Sequence, residues 1–314
     1  MGAFDGIAGH RRALHVLESQ LASGHMAHAY LFVGEPQLGK TTVARRLAQA
    51  LLPEVPLSRH PDYWEDDRRT VIKIDEVRLL PSREPEAHSQ TLQAFLALKP
   101  AVGSRRVAVI SNVGRMPDQT QGILLKTLEE PHPDRVIVLT TPSVSPFVVL
   151  PTIVSRCQRV SFHAVPEPEI AQLLVAGGAE PARADELARL SRGRPGWAAS
   201  AAAEGGALER HERWAEMLRA VVGAPRDVPL AVAAELDHMH MAWRNGDAHE
   251  VQDPFLEAME SWQLEIRERM LGAAHPATWA RLLELSYDSI GHHEQYVSPR
   301  LNLECFLLEV RRAA

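Results

Sequence analysis

The chain has 314 residues, roughly twice the ~150 of a typical domain, so two or three domains are expected and one small core is excluded. Hydrophobic residues make up 45% and charged residues 24%, with a formal charge of −6; this excludes a disordered or fibrous chain and any DNA-attracting field spread over the whole molecule. The only cysteines, Cys157 and Cys305, cannot make a four-thiolate zinc site or a disulfide scaffold and suit a reducing, cytoplasmic compartment, while the longest apolar runs and the MGAFDGIAGHRRALHVL start predict neither a membrane span nor a signal peptide.

His10 to Leu21 places Ala13, Leu14, Val16, Leu17 and Leu21 on helical spacing and predicts an amphipathic helix. Tyr30 to Val33 follows as a short buried strand, and Thr41 to Leu52 as a helix ended by Pro53. Between them stand Gly34, Glu35, Pro36, Gln37, Leu38, Gly39, Lys40 and Thr41, followed by Thr42, which match the G-x4-G-K-[ST] phosphate loop in its required strand–loop–helix setting. The glycines let successive N–H groups turn toward a phosphate, and the helix N-terminus adds positive potential. Lys40 can reach the β- and γ-phosphates and the Thr41 hydroxyl a magnesium ion, so ATP or ADP with Mg is the expected cofactor. Lysine occurs only at positions 40, 73, 99 and 126, which sets Lys40 apart from the arginine-rich background.

Residues 53–67 read as a surface connection, Thr70 to Asp75 as a strand, and Glu76 to Leu80 as the start of a helix interrupted by Pro81. A polar loop at Ser82 to Ser89, a helix at Gln90 to Leu98 and a buried strand at Val107 to Ile110 come next. That last strand is where a P-loop ATPase carries its Walker-B acids, but here it runs into Ser111 and Asn112. Neither side chain can act as a base at neutral pH or bring negative charge to a metal. Asp118, after Pro117, reads as the cap of a helix at Thr120 to Glu130.

Val136 to Thr141 is a further buried strand, whose terminal threonines lie where open α/β sheets bind ligands, and Arg159 to Phe162 is the last. Strands near 30, 72, 108, 138 and 160 alternating with helices predict a mostly parallel sheet covered on both faces. Beyond Val165 the pattern is helical. Three short helices, at 167–177, 182–193 and 196–203, precede the Gly-rich AAAEGGA linker, and five longer ones run from Leu208 to Arg311. Trp214, Trp243, Trp262 and Trp279 lie in that last stretch, as core or as subunit interface.

HAYLFVGEPQLGKTT, ILLKTLEEP, LPTIVSRCQ and the Gly-Arg-Pro-Gly turn at 193–196 together resemble the AAA+ clamp-loader subunits of bacterial DNA polymerase III, the delta-prime branch above all. The resemblance is dense over residues 6–200. It implies an α/β P-loop AAA+ domain at 1–165, a helical lid at 166–204 and an all-α collar at 208–314. It also implies a non-hydrolysing stator with little or no ATPase activity of its own, within a DNA-directed DNA polymerase complex of the bacterial cytoplasm. The implied partners are gamma/tau-type ATPase subunits and a delta subunit in a hetero-pentamer, with the sliding clamp and primer-template DNA reached through the assembly and no membrane.

Carried over by residue, the resemblance makes Arg156 of Ser155-Arg156-Cys157 an arginine finger for a neighbouring subunit's ATP. Thr141 becomes the sensor-1 position, Ser111 and Asn112 a degenerate Walker B, and Trp197 the occupant of the sensor-2 arginine's place. A bland alternative for Arg156 is a salt bridge at home with Glu129 or Glu130. The four-cysteine zinc module of many relatives is missing, since no cysteine falls between Lys40 and Cys157, so residues 53–69 have lost it or replaced it with a short loop, and no zinc and no metal beyond the nucleotide's Mg is expected. The competing function is a working P-loop ATPase of a replication or repair machine whose acid comes from Asp75-Glu76.

Overall fold

The structure, a computed structural model, describes residues 2–68, 71–78, 90–129, 132–245, 253–273, 276–294 and 298–313. The chain divides into two compact units, residues 1–200 and 201–314. The first holds, in order, α1 (Arg11–Ser23), β1 (Ala29–Val33), α2 (Lys40–Leu51), β2 (Tyr63–Asp66), α3 (Ile74–Val77), α4 (Leu92–Ala97), β3 (Arg106–Ile110), α5 (Asp118–Glu129), β4 (Arg135–Thr141), α6 (Pro151–Val154), β5 (Gln158–Ser161), α7 (Glu167–Ala176) and α8 (Pro181–Leu190). The division falls inside α9 (Pro195–Glu204), so the residues expected as a lid lie mainly with the sheet.

The five strands form one sheet in the order β2-β3-β4-β1-β5, and every pairing is parallel. Successive side chains of a strand point to opposite faces, and the burial follows that period. Tyr30, Phe32, Val107, Val109, Val136 and Val138 pack on one face with Val43, Ala44 and Leu47 of α2 and Leu17 of α1. Leu31, Ala108, Ile110, Ile137 and Leu139 pack on the other with Leu92 and Phe95 of α4 and Leu124 and Leu128 of α5. Because both faces are covered, β1 and residues Val107–Ile110 of β3 are continuous apolar runs with no polar alternation. This is the architecture expected from the sequence.

One strand is not where it was expected. Residues 71–73 form no strand and Ile74–Val77 turns into helix, with the Lys73 N–H donating to the Glu76 carboxylate at 3.0 Å. The edge strand is instead β2, inside the stretch read as a surface connection. Trp64 and Asp66 both point into the protein there, Asp66 because Arg68 and Arg115 pair with its carboxylate. Those arginines supply the neutralisation that makes an acidic residue tolerable inside a strand. Asp118 begins α5 as its first residue and does not precede it as a cap. Of the remaining expectations, Thr70, the 79–80 end of the third helix, Pro81, the 82–89 loop and Glu130 lie outside the described residues.

The second unit is helical: α10 (Ala207–Val221), α11 (Asp227–Asn245), α12 (Pro254–Gly272), α13 (Pro276–Glu294) and α14 (Pro299–Arg311). Proline begins three of these helices, where its missing N–H costs no hydrogen bond. Trp214, Trp262 and Trp279 are core residues, with Phe255 and Phe306 around them, and the Trp262 indole N–H donates to the Trp214 carbonyl at 2.7 Å. Among the described residues no helix is long and apolar enough to cross a membrane.

Candidate nucleotide-binding site

A cleft of about 280 Å³ opens where β1, β3 and β4 end, lined by Pro36, Gln37, Gly39, Lys40, Thr41, Thr42, Ser111, Asn112, Thr140, Thr141, Pro142 and Gly196. The loop from Gly34 to Gly39 folds over that end of the sheet. Its first residue is tied to β4, the Gly34 N–H donating to the Thr141 carbonyl at 3.2 Å. Gln37 and Gly39 take positive φ, at 62° and 88°, which reverses the direction of successive peptides and builds a concave set of N–H groups ahead of α2. Leu38 fixes the loop from below: its side chain is buried and its carbonyl lies 2.8 Å from His10 Nε2.

Lys40 is 8% exposed, and its ammonium donates to the Gly34 and Glu35 carbonyls at 2.5 and 2.6 Å. Burial pulls its pKa down to about 8 against the attraction of Glu35. A phosphate arriving at the loop would restore a full partner charge to that ammonium. Gly34, Glu35 and Leu38 therefore serve the site through their backbone or as its floor and do not line the cleft.

On the opposite wall the Thr41 hydroxyl lies 3.0 Å from the Ser111 hydroxyl. Asn112 takes a left-handed conformation, φ 55°, and its N–H donates to the Thr140 hydroxyl at 2.8 Å. The Thr141 hydroxyl donates to the Ser143 carbonyl at 2.7 Å. Among the described residues that line the cleft, none is an aspartate or glutamate. A magnesium ion entering with phosphates would meet the hydroxyls of Thr41 and Ser111, but no carboxylate among the described residues that line the cleft.

The acids nearest in sequence to the neighbouring strand ends, Asp66 and the expected alternative Asp75-Glu76, are engaged elsewhere. Asp66, at the end of β2, is fully buried against Arg68 and Arg115, and Arg115 also donates to the Ser111 carbonyl at 2.9 Å. Asp75 and Glu76 belong to α3 and not to a strand end, and Glu76 pairs with Arg68 at 2.9 Å. The Asp75-Glu76 route to a Walker-B pair therefore has no geometric support.

Thr140 and Pro142 join the site although no motif named them, and so does Gly196, the last residue of the Gly-Arg-Pro-Gly turn. The threonine was flagged only as one of two at a strand end. Gly196 enters through a tertiary contact, its N–H donating to the Gln37 carbonyl at 2.9 Å, and a Cβ there would stand 2.8 Å from that oxygen. Trp197 follows it, half-buried, and does not line the cleft. Arg156 lies outside the cleft as well: it pairs with Glu129 at 2.7 Å and donates to the Thr152 carbonyl at 3.0 Å, with 35% of its side chain exposed. The Cys157 thiol beside it is pushed up to about 12 by burial, which leaves it inert as nucleophile or ligand.

A parallel sheet of this strand order, with a phosphate loop leaving β1 and helices on both faces, defines a P-loop domain of the AAA+ type. The model of the family described as DNA polymerase III, delta subunit, matches residues 9–166, and the chain belongs to that family. It is 32% identical over 193 residues to DNA polymerase III subunit delta′ of Pseudomonas aeruginosa, covering 54% of each chain. Against subunit tau of Salmonella typhimurium it is 33% identical over 169 residues, 51% of this chain and 25% of that one. The chain thus spans between a quarter and about half the length of these curated relatives. A crystal structure of a DNA polymerase III gamma-subunit-related protein from Thermotoga maritima shares the fold, with a TM-score of 0.55 and 20% identity over 94% of this chain and 98% of that one.

Proposed function

We propose that the chain is a stator-type clamp-loader subunit, which binds adenine nucleotide without hydrolysing it and lends Arg156 to the ATP site of a neighbouring ATPase subunit. The observation that carries this reading is the pairing, in one cleft, of a complete phosphate loop with a wall from which carboxylates are absent among the described lining residues. Phosphoryl transfer is catalysed largely by positioning and by charge neutralisation, so a site lacking metal-shell and base carboxylates retains affinity and loses turnover. The relatives named delta′ and tau support partners of clamp-loader type. Assembly into a hetero-pentamer with delta, and contact with sliding clamp and primer-template DNA, follow from the same reading.

Arg156 suits the second half of the proposal. Its bridge to Glu129 is half exposed on the carboxylate side, and such pairs contribute only about 0–1 kcal/mol, so exchanging Glu129 for a neighbour's phosphate costs little. The planar guanidinium then presents two parallel donors to phosphoryl oxygens, which a lysine could not. The test is reconstitution with a tau/gamma-type ATPase subunit. Arg156→Ala should fold and assemble like the parent and lower the partner's stimulated ATPase, by up to about 10³-fold if this were the only active interface. Glu129→Ala, which removes the same salt bridge and keeps the arginine, should leave the ATPase intact. Equal effects of the two substitutions, or full activity with Arg156→Ala, would make the bridge merely structural and overturn the finger.

A further inference from the structure

We propose that His240, Asp253 and His293 form a binding site for a divalent first-row transition metal, with zinc as the test case, that fastens three helices of the second unit at one point. The residues come from the last part of α11, the cap of α12 and the last turn of α13. His240 Nδ1 lies 2.8 Å from Asp253 Oδ1, and His293 Nε2 lies 2.9 Å from Asp253 Oδ2. One ligand atom from each residue falls within 4.8 Å of the others. Two imidazole nitrogens and a carboxylate oxygen are the borderline donor set that zinc and its neighbours take, whereas magnesium and calcium prefer oxygen alone.

The surroundings favour an ion. His240 and Asp253 are 4% and 6% exposed, so the carboxylate charge sits away from water, against two imidazole rings. A divalent cation neutralises that charge directly. The carboxylate is already oriented, since the Phe255 N–H donates to Asp253 Oδ1 at 2.9 Å, the kind of outer contact that holds metal ligands in place. His293 is stacked flat on Phe255, with ring centroids 4.1 Å apart, and its Nδ1 has no hydrogen-bond partner among the described residues. Tetrahedral zinc with bonds of about 2.0–2.1 Å needs ligand atoms roughly 3.3 Å apart, so the imidazoles must close in by about an ångström or more. The His293 ring can slide along Phe255 to do so, because no second hydrogen bond anchors it, and its 14% exposure gives the ion a way in.

The site lies beyond the nucleotide reading and stands or falls separately. The experiment is titration of the metal-stripped full chain with Zn²⁺ by calorimetry, and with Co²⁺ by visible absorption, in parent, His293→Ala and Asp253→Asn forms. The expected result is one ion per chain, a melting temperature that rises with metal, and a cobalt spectrum free of thiolate charge-transfer bands. His293→Ala, which alters the rim of the site, should fold as judged by circular dichroism and bind at least about tenfold more weakly. Absence of binding by the parent would overturn the proposal and leave a hydrogen-bonded node. Unchanged affinity in His293→Ala, or a thiolate band pointing to Cys157 or Cys305, would overturn it equally.

Discussion

Lys40 joins the phosphate loop to a measurable pH dependence. Its pKa is lowered to about 8 by burial, so above that pH the free chain increasingly holds a neutral amine, while a bound phosphate demands the ammonium. Nucleotide affinity should be flat below pH 8 and fall above it, by up to about tenfold per unit, since one proton must then be taken up on binding. Stability moves the other way: the unfolded chain keeps this proton up to about pH 10.4, so the depression makes folding more favourable as pH rises through that window. Loss of affinity without loss of melting temperature between pH 8 and 9.5, absent in Lys40→Ala, is therefore the expected signature in a fluorescent-nucleotide titration.

A second residue effect concerns the sheet edge. Burial alone would raise the Asp62 carboxyl, but the backbone N–H groups of Ala101, Val102 and Gly103, at 2.7, 2.8 and 3.0 Å, with Arg106 nearby, hold it below the usual range. Asp62→Ala strands those donors and should cost about 1–3 kcal/mol near pH 7 in urea unfolding. The depressed carboxyl contributes stability that is present above its unfolded pKa of about 3.9 and lost as pH falls through the folded value. The gap between parent and variant should therefore narrow on acidification below about pH 4. A gap that stayed constant would mean the carboxylate is not what holds the 101–103 turn.

Among the elements, the phosphate loop separates two reasons for glycine. At Gly39 a Cβ would meet nothing within 4 Å, so Gly39→Ala should show only the left-handed penalty of roughly 1–2 kcal/mol. At Gly34, φ is +156° and a Cβ would stand 2.5 Å from the Phe162 carbonyl, just beyond β5. Gly34→Ala must push the end of β5 away from β1 and should destabilise the first unit clearly more than Gly39→Ala, as compared by their denaturation midpoints. The loop was legible in the sequence because all its chemistry lies within eight consecutive residues. β2 was not, because one of the two arginines that neutralise the buried Asp66, Arg115, arrives from beyond β3. A reading along the chain sees an acidic stretch and assigns it to the surface.

For the molecule as a whole, the order of strands and helices was readable from period and punctuation, since both faces of the sheet demand continuous apolar strands. What escaped were meetings between distant segments. Gly196 reaches Gln37, and His240, Asp253 and His293 converge across 53 positions with no spacing motif to announce them, whereas the Arg156–Glu129 bridge is one of the two home pairings expected for that arginine. Ser111 was readable as a lost acid, but that its hydroxyl faces Thr41 is a product of the fold.

That facing pair of hydroxyls carries the central claim, that this cleft holds nucleotide and does not turn it over. Incubation of a molar excess of the purified chain with trace γ-labelled ATP and magnesium, followed by separate quantification of bound ATP and released phosphate, tests it in one vessel. The account predicts retained ATP, lost in Lys40→Ala, with phosphate release no faster than in the buffer blank. Release at the rate of about 1 s⁻¹ or more usual for enzymes, abolished by Lys40→Ala, would contradict it, as would a chain that retains no ATP at all.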